Sequence, residues 1–421
     1  MQQLIVISIA LGLAAMGAAG AQSPINVLDH GAVADGTTDD TAAIQAALDA
    51  AAADEGGIVF MPKGKYLVEG SLTIPTGVAL RGEWEGPHST YEGQGTLILA
   101  TGSHGTEDGP PLIQMKRSTT IRGMTIFYPN QDPNDIVPYP WTIQSDGTHP
   151  NIIDMTLINP WKAIDVGTNW TEMHYIRNVY GQPLRLGIFI DRCTDIGRVE
   201  NVHFNPNAWT RINYEGYEFQ GNTQEFYDWL KENLVGFLIG KTDWQYFHNC
   251  FVIFPKIGFH FVDTGHGPGN AVLTQCGSDI GPVAVQVDSV QPHAGVAFVN
   301  SQIMQTVIVG PDNQGPVKFS NSGFWPAGPG TSPQVIVDGA GTVMLDNCHF
   351  AEWGSDAPAI QVKGGTVLVN GCDFFDTGKP QVVIEEGAEG VVVTGSRLQG
   401  GENIINHSET ADVQIGLNLT R

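Results

Sequence analysis

The chain has 421 residues, enough for two or three ordinary domains, but its composition narrows the possibilities. Its 52 glycines and 25 prolines imply many turns, while 42% hydrophobic residues suffice for a packed core and argue against wholesale disorder. Charged residues make up only 15%, against a usual share of about 25%, and 44 acidic against 20 basic residues give a net charge of −24. The composition therefore argues against a helical bundle and against a partner such as nucleic acid or anionic lipid.

Residues 1–21 carry no charged side chain, are almost wholly apolar from position 4 to position 15, and end in Ala19-Gly20-Ala21. This pattern predicts a secretory signal peptide that is cleaved on export. No later segment approaches the roughly 18 consecutive apolar residues of a membrane span. We therefore expect a mature protein over residues 22–421 that is secreted or periplasmic and has no membrane association after cleavage.

One clear helix is predicted early in the chain, over about residues 41–53. Asp39 or Asp40 can cap its first turn, and the acidic cluster around them is interpreted as turn-forming rather than catalytic. Its apolar face carries Ile44, Ala47 and Leu48. Such a helix can cover the open apolar end of a stack of repeats.

A repeat follows from Met124 to Ser396, where a small or apolar residue recurs about every 24 residues, most often after Asn, Gly or Asp. A second short strand with alternating apolar residues comes about eight to twelve residues later in each unit. Two longer gaps mark insertions at 129–139 and 205–235. Short strands joined by glycine-rich corners predict the stacked coils of a parallel β-helix, an all-β fold with about 10–12 coils in one domain.

The five cysteines are interpreted as structural. Four of them occupy the small position of the repeat, as in Asn249-Cys250 and Asn347-Cys348, and serine replaces cysteine in Asn300-Ser301. We expect these thiols to lie buried in the core, after a turn in which the asparagine side chain bonds backbone. No Cys-x-x-Cys or Cys/His cluster indicates zinc, so no metal site is predicted.

A set of short motifs within residues 24–83 carries a family resemblance. They are Ile25-Asn26-Val27, Gly31-Ala32, Asp35-Gly36, Asp39-Asp40-Thr41, Ala43-Ile44-Gln45, Gly56-Gly57, Phe60-Met61-Pro62, Gly64-Lys65-Tyr66 and Leu80-Arg81-Gly82. The segment resembles the entry module of the pectate-lyase-like superfamily. The resemblance implies a single-stranded right-handed parallel β-helix. It implies no single reaction, since the superfamily includes polygalacturonases, rhamnogalacturonases, glucanases, lyases, epimerases and phage tailspikes.

The triplet Gly265-His266-Gly267 is similar to a short polygalacturonase motif. The accompanying Asn-Thr-Asp, Gly-Asp-Asp and Arg-Ile-Lys motifs of that family are absent from the sequence. The triplet is therefore interpreted as a glycine-rich corner, and a standard polygalacturonase is not predicted.

Candidate catalytic residues come from aligning the second strands of neighbouring units. The alternation places Asp165 and Asp191 on the outer face, one coil apart and offset by two residues, so that their backbones lie roughly 8 Å apart. This separation is in the range of about 6.5–9.5 Å expected for the acid and base of an inverting glycosidase. Asp243 projects from the next coil. We expect Asp191 to act as general acid and Asp165 or Asp243 as base, because clustered carboxylates raise one another's pKa.

Candidate substrate-binding residues lie around these carboxylates. The insertion at 205–235 is rich in aromatic residues, which stack on sugar rings, and it borders the same face. The alternative is that these rings pack the insertion against the β-helix. His260 either orients a carboxylate or binds substrate. The predicted substrate-binding residues are His260, Lys241, Trp244, Asp263, Trp209, Tyr214, Tyr217 and Gln144.

Three functions are consistent with this pattern. A secreted glycoside hydrolase that cleaves a plant or algal polysaccharide is favoured by the paired carboxylates. A lyase or epimerase acting on uronates would neutralise the substrate carboxylate with Ca²⁺ or with a basic side chain such as Arg185, Arg192 or Lys241. A non-catalytic glycan-binding protein is the third. We expect a polysaccharide partner, no cofactor apart from Ca²⁺ in a lyase, and a monomer or homotrimer.

Overall fold

The computed structural model describes residues 23–84, 86–214, 216–327, 333–354 and 357–420. The predicted signal peptide lies outside the described residues. None of the helices in the described ranges is both long and apolar enough to cross a lipid bilayer.

Two parallel sheets wind together through the described chain from residue 25 to residue 420 and form the predicted β-helix. The smaller sheet has 13 strands, against the 10–12 coils expected. Its strands are Leu72–Ile74, Ile113–Met115, Trp141–Ser145, Lys162–Val166, Leu186–Ile190, Val235–Ile239, Ile257–Phe261, Val283–Val287, Thr306–Val309, Val335–Val337, Ile360–Val362, Val382–Ile384 and Ile404–Asn406.

The larger sheet has 26 strands, because each coil after residue 244 contributes two short strands to it. Its strands are Ile25–Asn26, Asp35–Asp39, Gly57–Phe60, Gly64–Val68, Val78–Arg81, Thr96–Ala100, Thr120–Phe127, Asn151–Leu157, Tyr175–Gly181, Arg198–Phe204, Gln245–His248, Phe251–Ile253, Ala271–Thr274, Gly277–Asp279, Val296–Val299, Gln302–Ile303, Val317–Ser320, Gly323–Phe324, Thr342–Asp346, His349–Phe350, Gly365–Asn370, Asp373–Phe374, Ala388–Thr394, Arg397–Leu398, Asp412–Gly416 and Leu419–Thr420.

The predicted capping helix, α1, spans Thr41–Ala53 and packs against the first strands of both sheets. Its apolar face is fully buried, so the helix covers the N-terminal end of the stack as expected. The acidic cluster forms turns: Asp39 accepts the Thr41 N–H at 3.0 Å, and Asp40 accepts the N–H groups of Val33 and Ala34 instead of capping the helix with its side chain.

A bend in the backbone of the larger sheet explains the repeat: it lies within one strand in the earlier coils and between two short strands in the coils after residue 244. Asn178, Asn201 and Asn249 all have φ between 51° and 57°, a left-handed conformation that asparagine tolerates. The expectation that these side chains bond backbone is wrong for the three residues, because their amides bond other side chains within the described structure. The Nδ2 of Asn201 donates to Asn178 Oδ1 at 2.9 Å, and the Nδ2 of Asn249 donates to Asn201 Oδ1 at 2.9 Å. The asparagines therefore form a ladder along the stack.

The small residue after each corner points inward. All five cysteines are buried free thiols, as predicted. Where serine replaces cysteine, its hydroxyl bonds backbone: Ser301 Oγ accepts the Cys276 N–H at 3.2 Å, and Ser322 Oγ accepts the Ser301 N–H at 3.2 Å. Phenylalanines fill the adjacent core in ring stacks, of which Phe237 and Phe259 are one pair at 4.6 Å between centroids.

Both insertions lie where the larger sheet passes into the smaller one, and so precede the strands of the 13-stranded sheet. The second insertion contains two helices, α2 at Asn207–Thr210 and α3 at Thr223–Asn233. Helix α3 is N-capped by Asn222, whose side chain accepts the N–H groups of Gln224 and Glu225.

Candidate active site

Asp191 lies at the centre of a cluster of polar side chains along the edge of the 13-stranded sheet that is formed by the carboxyl ends of its strands. It follows the strand Leu186–Ile190 directly and is only 1% exposed. Its Oδ1 accepts the Lys241 N–H at 2.6 Å, and its Oδ2 accepts the Thr264 hydroxyl at 2.6 Å and lies 2.8 Å from His266 Nδ1. Gly240 in the next coil is required here, because a Cβ at that position would lie 2.6 Å from Asp191 Oδ1.

His266 is presented by a tight loop. Asp263 Oδ1 accepts the N–H groups of Gly265 and Gly267 at 2.8 and 2.9 Å, and both glycines have φ near 95–99°, which other residues rarely adopt. The Gly-His-Gly triplet is thus the corner that the sequence predicts. The imidazole at its apex, however, contacts Asp191, and its side chain is 38% exposed. Its Nε2 makes no hydrogen bond within the described part of the chain.

Sequence reasoning missed His266 and Thr264 as site residues. The contact between His266 and Asp191 joins positions 75 apart, so no local spacing reports it. The insertion at 205–235 lies between them in the chain and increases this separation. The triplet itself was the available signal.

Lys241 and Asp243 form an ion pair beside this cluster, with Nζ 2.8 Å from Oδ1. Gln291 Nε2 donates to the same Asp243 oxygen at 2.6 Å, and Asn270 Nδ2 donates to Gln291 Oε1 at 2.7 Å. Although partial burial opposes it, the hydrogen bonds from Lys241 and Gln291 hold the pKa of Asp243 below its usual value. The second carboxylate oxygen of Asp243 has no partner within the described residues.

Trp244 follows the ion pair and is 63% exposed. Its φ of 60° is unusual for a bulky residue, and Asn270 Oδ1 holds its N–H at 2.9 Å. Asn270 is buried, so the backbone that carries the ring is fixed from inside the solenoid. The predicted role of Trp244 in binding substrate fits this exposure.

His260 lies further along the same face, in the fourth position of the strand Ile257–Phe261. Its Nε2 is 2.6 Å from Asp288 Oδ2, and Gln286 Nε2 donates to Asp288 Oδ1 at 2.9 Å. The hydrogen bond from His260 keeps the pKa of Asp288 below its usual value. Of the two roles predicted for His260, orienting a carboxylate fits this contact, and the carboxylate is Asp288.

The expectation that Asp165 and Asp191 present free carboxylates on an open face is corrected. Asp165 is fully buried, since the rings of Trp141 and Phe189, from the coils on either side, stack over it with centroids 6.4 Å apart. Its Oδ2 accepts Gln144 Nε2 at 2.7 Å, and its Oδ1 accepts the N–H groups of the turn that follows. The amide of Gln144, predicted to bind substrate, is thus engaged with Asp165.

The aromatic residues of the second insertion are largely inaccessible. Trp209 is 3% exposed and packs edge-on against Phe219 and Phe226. Tyr214 and Tyr217 stack on each other at 4.8 Å between centroids, and Tyr217 also packs against Phe127. These contacts favour the alternative that the aromatic rings pack the insertion against the β-helix.

The insertion and the Asp191 cluster lie on opposite edges of the 13-stranded sheet. Arg185, just before the strand Leu186–Ile190, donates from Nη1 to the Asn233 carbonyl at the end of α3, whereas Asp191 follows that strand. Five residues of strand separate the two edges by about 17 Å. A cavity of about 280 Å³ between the two insertions is lined partly by Trp209 and Tyr217, and it is a separate space.

The Asp191–His266 pair is suited to proton transfer. A buried carboxylate that holds imidazole Nδ1 orients the ring and stabilises the imidazolium form, so that Nε2 can accept or donate a proton at the surface. Asp191 itself cannot reach a ligand, because its oxygens already hold three donors. Among the described residues, no group of three or more His, Cys, Asp or Glu side chains is placed to hold a metal ion.

Comparisons with known proteins agree with this architecture. Residues 24–121 match the family model described as rhamnogalacturonase A/epimerase, pectate lyase-like. The mannuronan C5-epimerase AlgE3 of Azotobacter vinelandii is 52% identical over 64 residues, which are 14% of this chain and only 4% of the epimerase. The sequence similarity is thus confined to a small part of both proteins.

Two solved structures resemble the chain along most of its length. The A-module of mannuronan C-5 epimerase AlgE6 from A. vinelandii has a TM-score of 0.54 at 16% identity, covering 94% of this chain and 99% of the module. The N-terminal fragment of bacteriophage phi29 gene product 12 has a TM-score of 0.60 at 13% identity, covering 94% of this chain and 71% of the fragment. At these identities the likeness concerns the fold. The chain is a right-handed parallel β-helix, and its residues 24–121 match a pectate-lyase-like family model.

Proposed function

We propose that the chain is a carbohydrate-active enzyme that acts on a polysaccharide and that the Asp191–His266 pair is its proton-transfer group. The observation that carries the proposal is that a buried carboxylate holds a partly exposed imidazole through Nδ1 and leaves Nε2 at the surface. The family description, which includes a rhamnogalacturonase and an epimerase, and the epimerase relative support the substrate class.

The reaction that this geometry supports best is removal of a proton next to the carboxylate of a uronic acid residue. His266 Nε2 accepts the proton, and Asp191 stabilises the resulting imidazolium. Lys241 neutralises charge on the substrate carboxylate, and Trp244 stacks on a sugar ring. Return of a proton from water to the opposite face makes the chain an epimerase. Expulsion of the 4-linked sugar, whose oxygen takes up a proton from the imidazolium or from water, makes it a lyase.

A glycoside hydrolase, the function favoured from sequence, is the second candidate. The observation in its favour is the partly exposed carboxylate of Asp243, which has one oxygen without a partner in the described structure. A second carboxylic acid at about 6.5–9.5 Å would be needed, and the exposed Asp263 and the half-buried Asp288 on later coils are the candidates. The burial of Asp165 and Asp191 weighs against the pair that the sequence suggested.

A panel of neutral and uronic polysaccharides tests these candidates with three readouts: new reducing ends, ultraviolet absorbance of unsaturated uronate products, and deuterium incorporation from D₂O. For a lyase or epimerase we expect His266→Gln to lower turnover by about 10²–10⁴-fold, since that is the usual contribution of general acid–base catalysis. Asp165→Asn serves as the control for a buried carboxylate on the same face.

Reducing ends without absorbance or deuterium uptake, together with an active His266→Gln and an inactive Asp243→Asn, would establish the hydrolase instead. Binding of a glycan with no turnover by any readout would favour the non-catalytic alternative. A chelator added to the wild-type reaction tests for a calcium requirement.

We also propose that the chain is exported, on the basis of the apolar segment at 1–21 and its Ala19-Gly20-Ala21 ending. N-terminal sequencing of the protein recovered from the periplasm or medium is expected to begin at Gln22. A mature protein that starts at Met1 would contradict this expectation.

A further inference from the structure

Two exposed aromatic rings lie on the larger sheet, far from Asp191. Trp325 and Phe375 follow the strands Gly323–Phe324 and Asp373–Phe374 and are 37% and 50% exposed. They occupy the same position two coils apart, with Ala351 between them. With a rise of about 4.8 Å per coil, the rings are separated by about 10 Å along the solenoid axis, close to the length of a disaccharide.

The Trp325 ring is anchored to the sheet through its N–H group. Its Nε1 donates to Gln302 Oε1 at 2.7 Å, one coil below. Gly323 leaves room for the edge of the ring, because a Cβ at that position would lie 3.2 Å from Trp325 Cδ1. The indole is thus held at a fixed position and remains 37% exposed.

A row of polar side chains runs beside the rings. His349, Asp373 and Arg397 are in direct register on consecutive coils. Asp373 binds both neighbours: Oδ2 lies 2.9 Å from His349 Nδ1 and 2.9 Å from Arg397 Nη2. Phe375 lies against this row, with its ring 6.0 Å from the His349 ring and 5.9 Å from the Arg397 guanidinium.

The polar row keeps donors free for a ligand. His349 Nε2 and Arg397 Nη1 make no hydrogen bond within the described residues. The two side chains are 47% and 44% exposed. The polar row contains two side chains able to carry positive charge, His349 and Arg397, and one carboxylate, Asp373. It therefore repels an anionic polymer less than the rest of the chain, whose net charge is −24.

We propose that Trp325, Phe375, His349 and Arg397 form a second polysaccharide-binding site, here called the aromatic platform. A glycan chain lying along the solenoid axis stacks one sugar on Trp325 and another on Phe375, while hydroxyl or carboxylate groups reach the free donors of the polar row. The polysaccharide class rests on the proposed function. The platform lies five coils from Asp191, about 24 Å along the axis, so it would retain a long polymer and leave the reaction itself unchanged.

Binding to polysaccharides is measured by affinity electrophoresis in native gels that contain each polymer of the panel, with the His266→Gln chain to suppress turnover. We expect Trp325→Ala and Phe375→Ala each to weaken retardation about two- to tenfold, and the double variant to weaken it further. Leu417→Ala, which removes an exposed apolar side chain on another coil, is the control and is expected to bind normally. Circular dichroism verifies that each variant is folded.

The electrophoresis does not depend on turnover, so it can succeed or fail independently of the proposed enzyme. Retardation that is unchanged in the double variant would overturn the aromatic platform, as would a chain that no polymer retards. A change in oligomeric state on gel filtration without a change in glycan affinity would also overturn it and would identify the strip as an interface between copies. In an active chain, the platform variants are expected to raise KM for long polymers and to leave turnover of short oligosaccharides unchanged.

Discussion

Replacing Asp191 with asparagine is the sharpest perturbation of the candidate site, because it preserves the size of the side chain and removes its charge. The carboxylate holds the Lys241 N–H, the Thr264 hydroxyl and His266 Nδ1. An asparagine whose oxygen keeps the Lys241 N–H turns its NH₂ group toward Thr264 and His266. Since two donors cannot face each other, His266 must then present a lone pair at Nδ1 and carry its proton on Nε2.

The expected loss of stability and the expected loss of turnover differ in magnitude. One buried hydrogen bond is lost or reversed, so the free energy of unfolding is expected to fall by about 1–3 kcal/mol. A protonated Nε2 cannot accept a proton from substrate, so turnover is expected to fall by about 10²–10⁴-fold, equivalent to roughly 3–5 kcal/mol of activation free energy. Well below the unfolding transition the variant should therefore be folded and inactive.

The assay compares turnover on the polysaccharide that the panel identifies with urea unfolding of the same samples. Asp154→Asn is the matched control, because Asp154 is also a buried carboxylate, held by Arg122 and Asn178 in the larger sheet. It is expected to lose similar stability and to keep its turnover. An Asp191→Asn chain with wild-type turnover would refute the assignment of Asp191 to positioning His266.

Three further predictions concern the scaffold. Burial lowers the pKa of His174 to about 4, against about 6.5 in an unfolded chain. The free energy of unfolding is therefore highest above pH 6.5 and falls as the pH falls toward 4, because only the unfolded chain takes up the proton. In urea titrations over that pH range, the free energy of unfolding of His174→Gln should fall by about 3 kcal/mol less than that of the wild type, and parallel curves would contradict this. Phe259→Ala, which opens the ring stack with Phe237, is expected to cost about 3–5 kcal/mol of unfolding free energy by chemical denaturation, whereas a loss below 1 kcal/mol would mean that the core closes around the gap. Asn201→Ala removes two ladder hydrogen bonds and places alanine at a φ of 52°, so the free energy of unfolding is expected to fall by about 1–3 kcal/mol. Asn201→Gly should lose less stability, because glycine tolerates that φ. Equal losses in the two variants would exclude backbone strain as a contributor.

Much of the scaffold was predictable from local patterns. The Asn-Cys and Asn-Ser pairs recur about every 24 residues because each coil needs one left-handed corner and one small inward side chain. The second strands alternate apolar residues, and the apolar residues Ile164 and Val166 of one such strand are fully buried. Helix α1 was predictable in its bounds because its apolar face and the preceding turn residues are contiguous in sequence.

The candidate site was only partly predictable. Alternation correctly assigned Asp165 to the outer face of its strand, but it could not show that the rings of Trp141 and Phe189, from neighbouring coils, cover that position. The aromatic composition of the second insertion suggested sugar stacking, whereas Trp209 is used to pack the insertion. Exposure depends on neighbours that are distant in sequence, and composition does not report it.

The coil, its corners, its inward side chains and the position of the capping helix α1 follow from conformational preferences and periodicity within one or two repeats. The contacts between polar side chains follow instead from the stacking of coils. His266 reaches Asp191 across 75 residues because one coil stacks on another, with Gly240 leaving room for the carboxylate. The same stacking buries Asp165 and leaves Trp244 exposed, since lateral contacts between coils are set by register along the solenoid axis and not by neighbours in the chain.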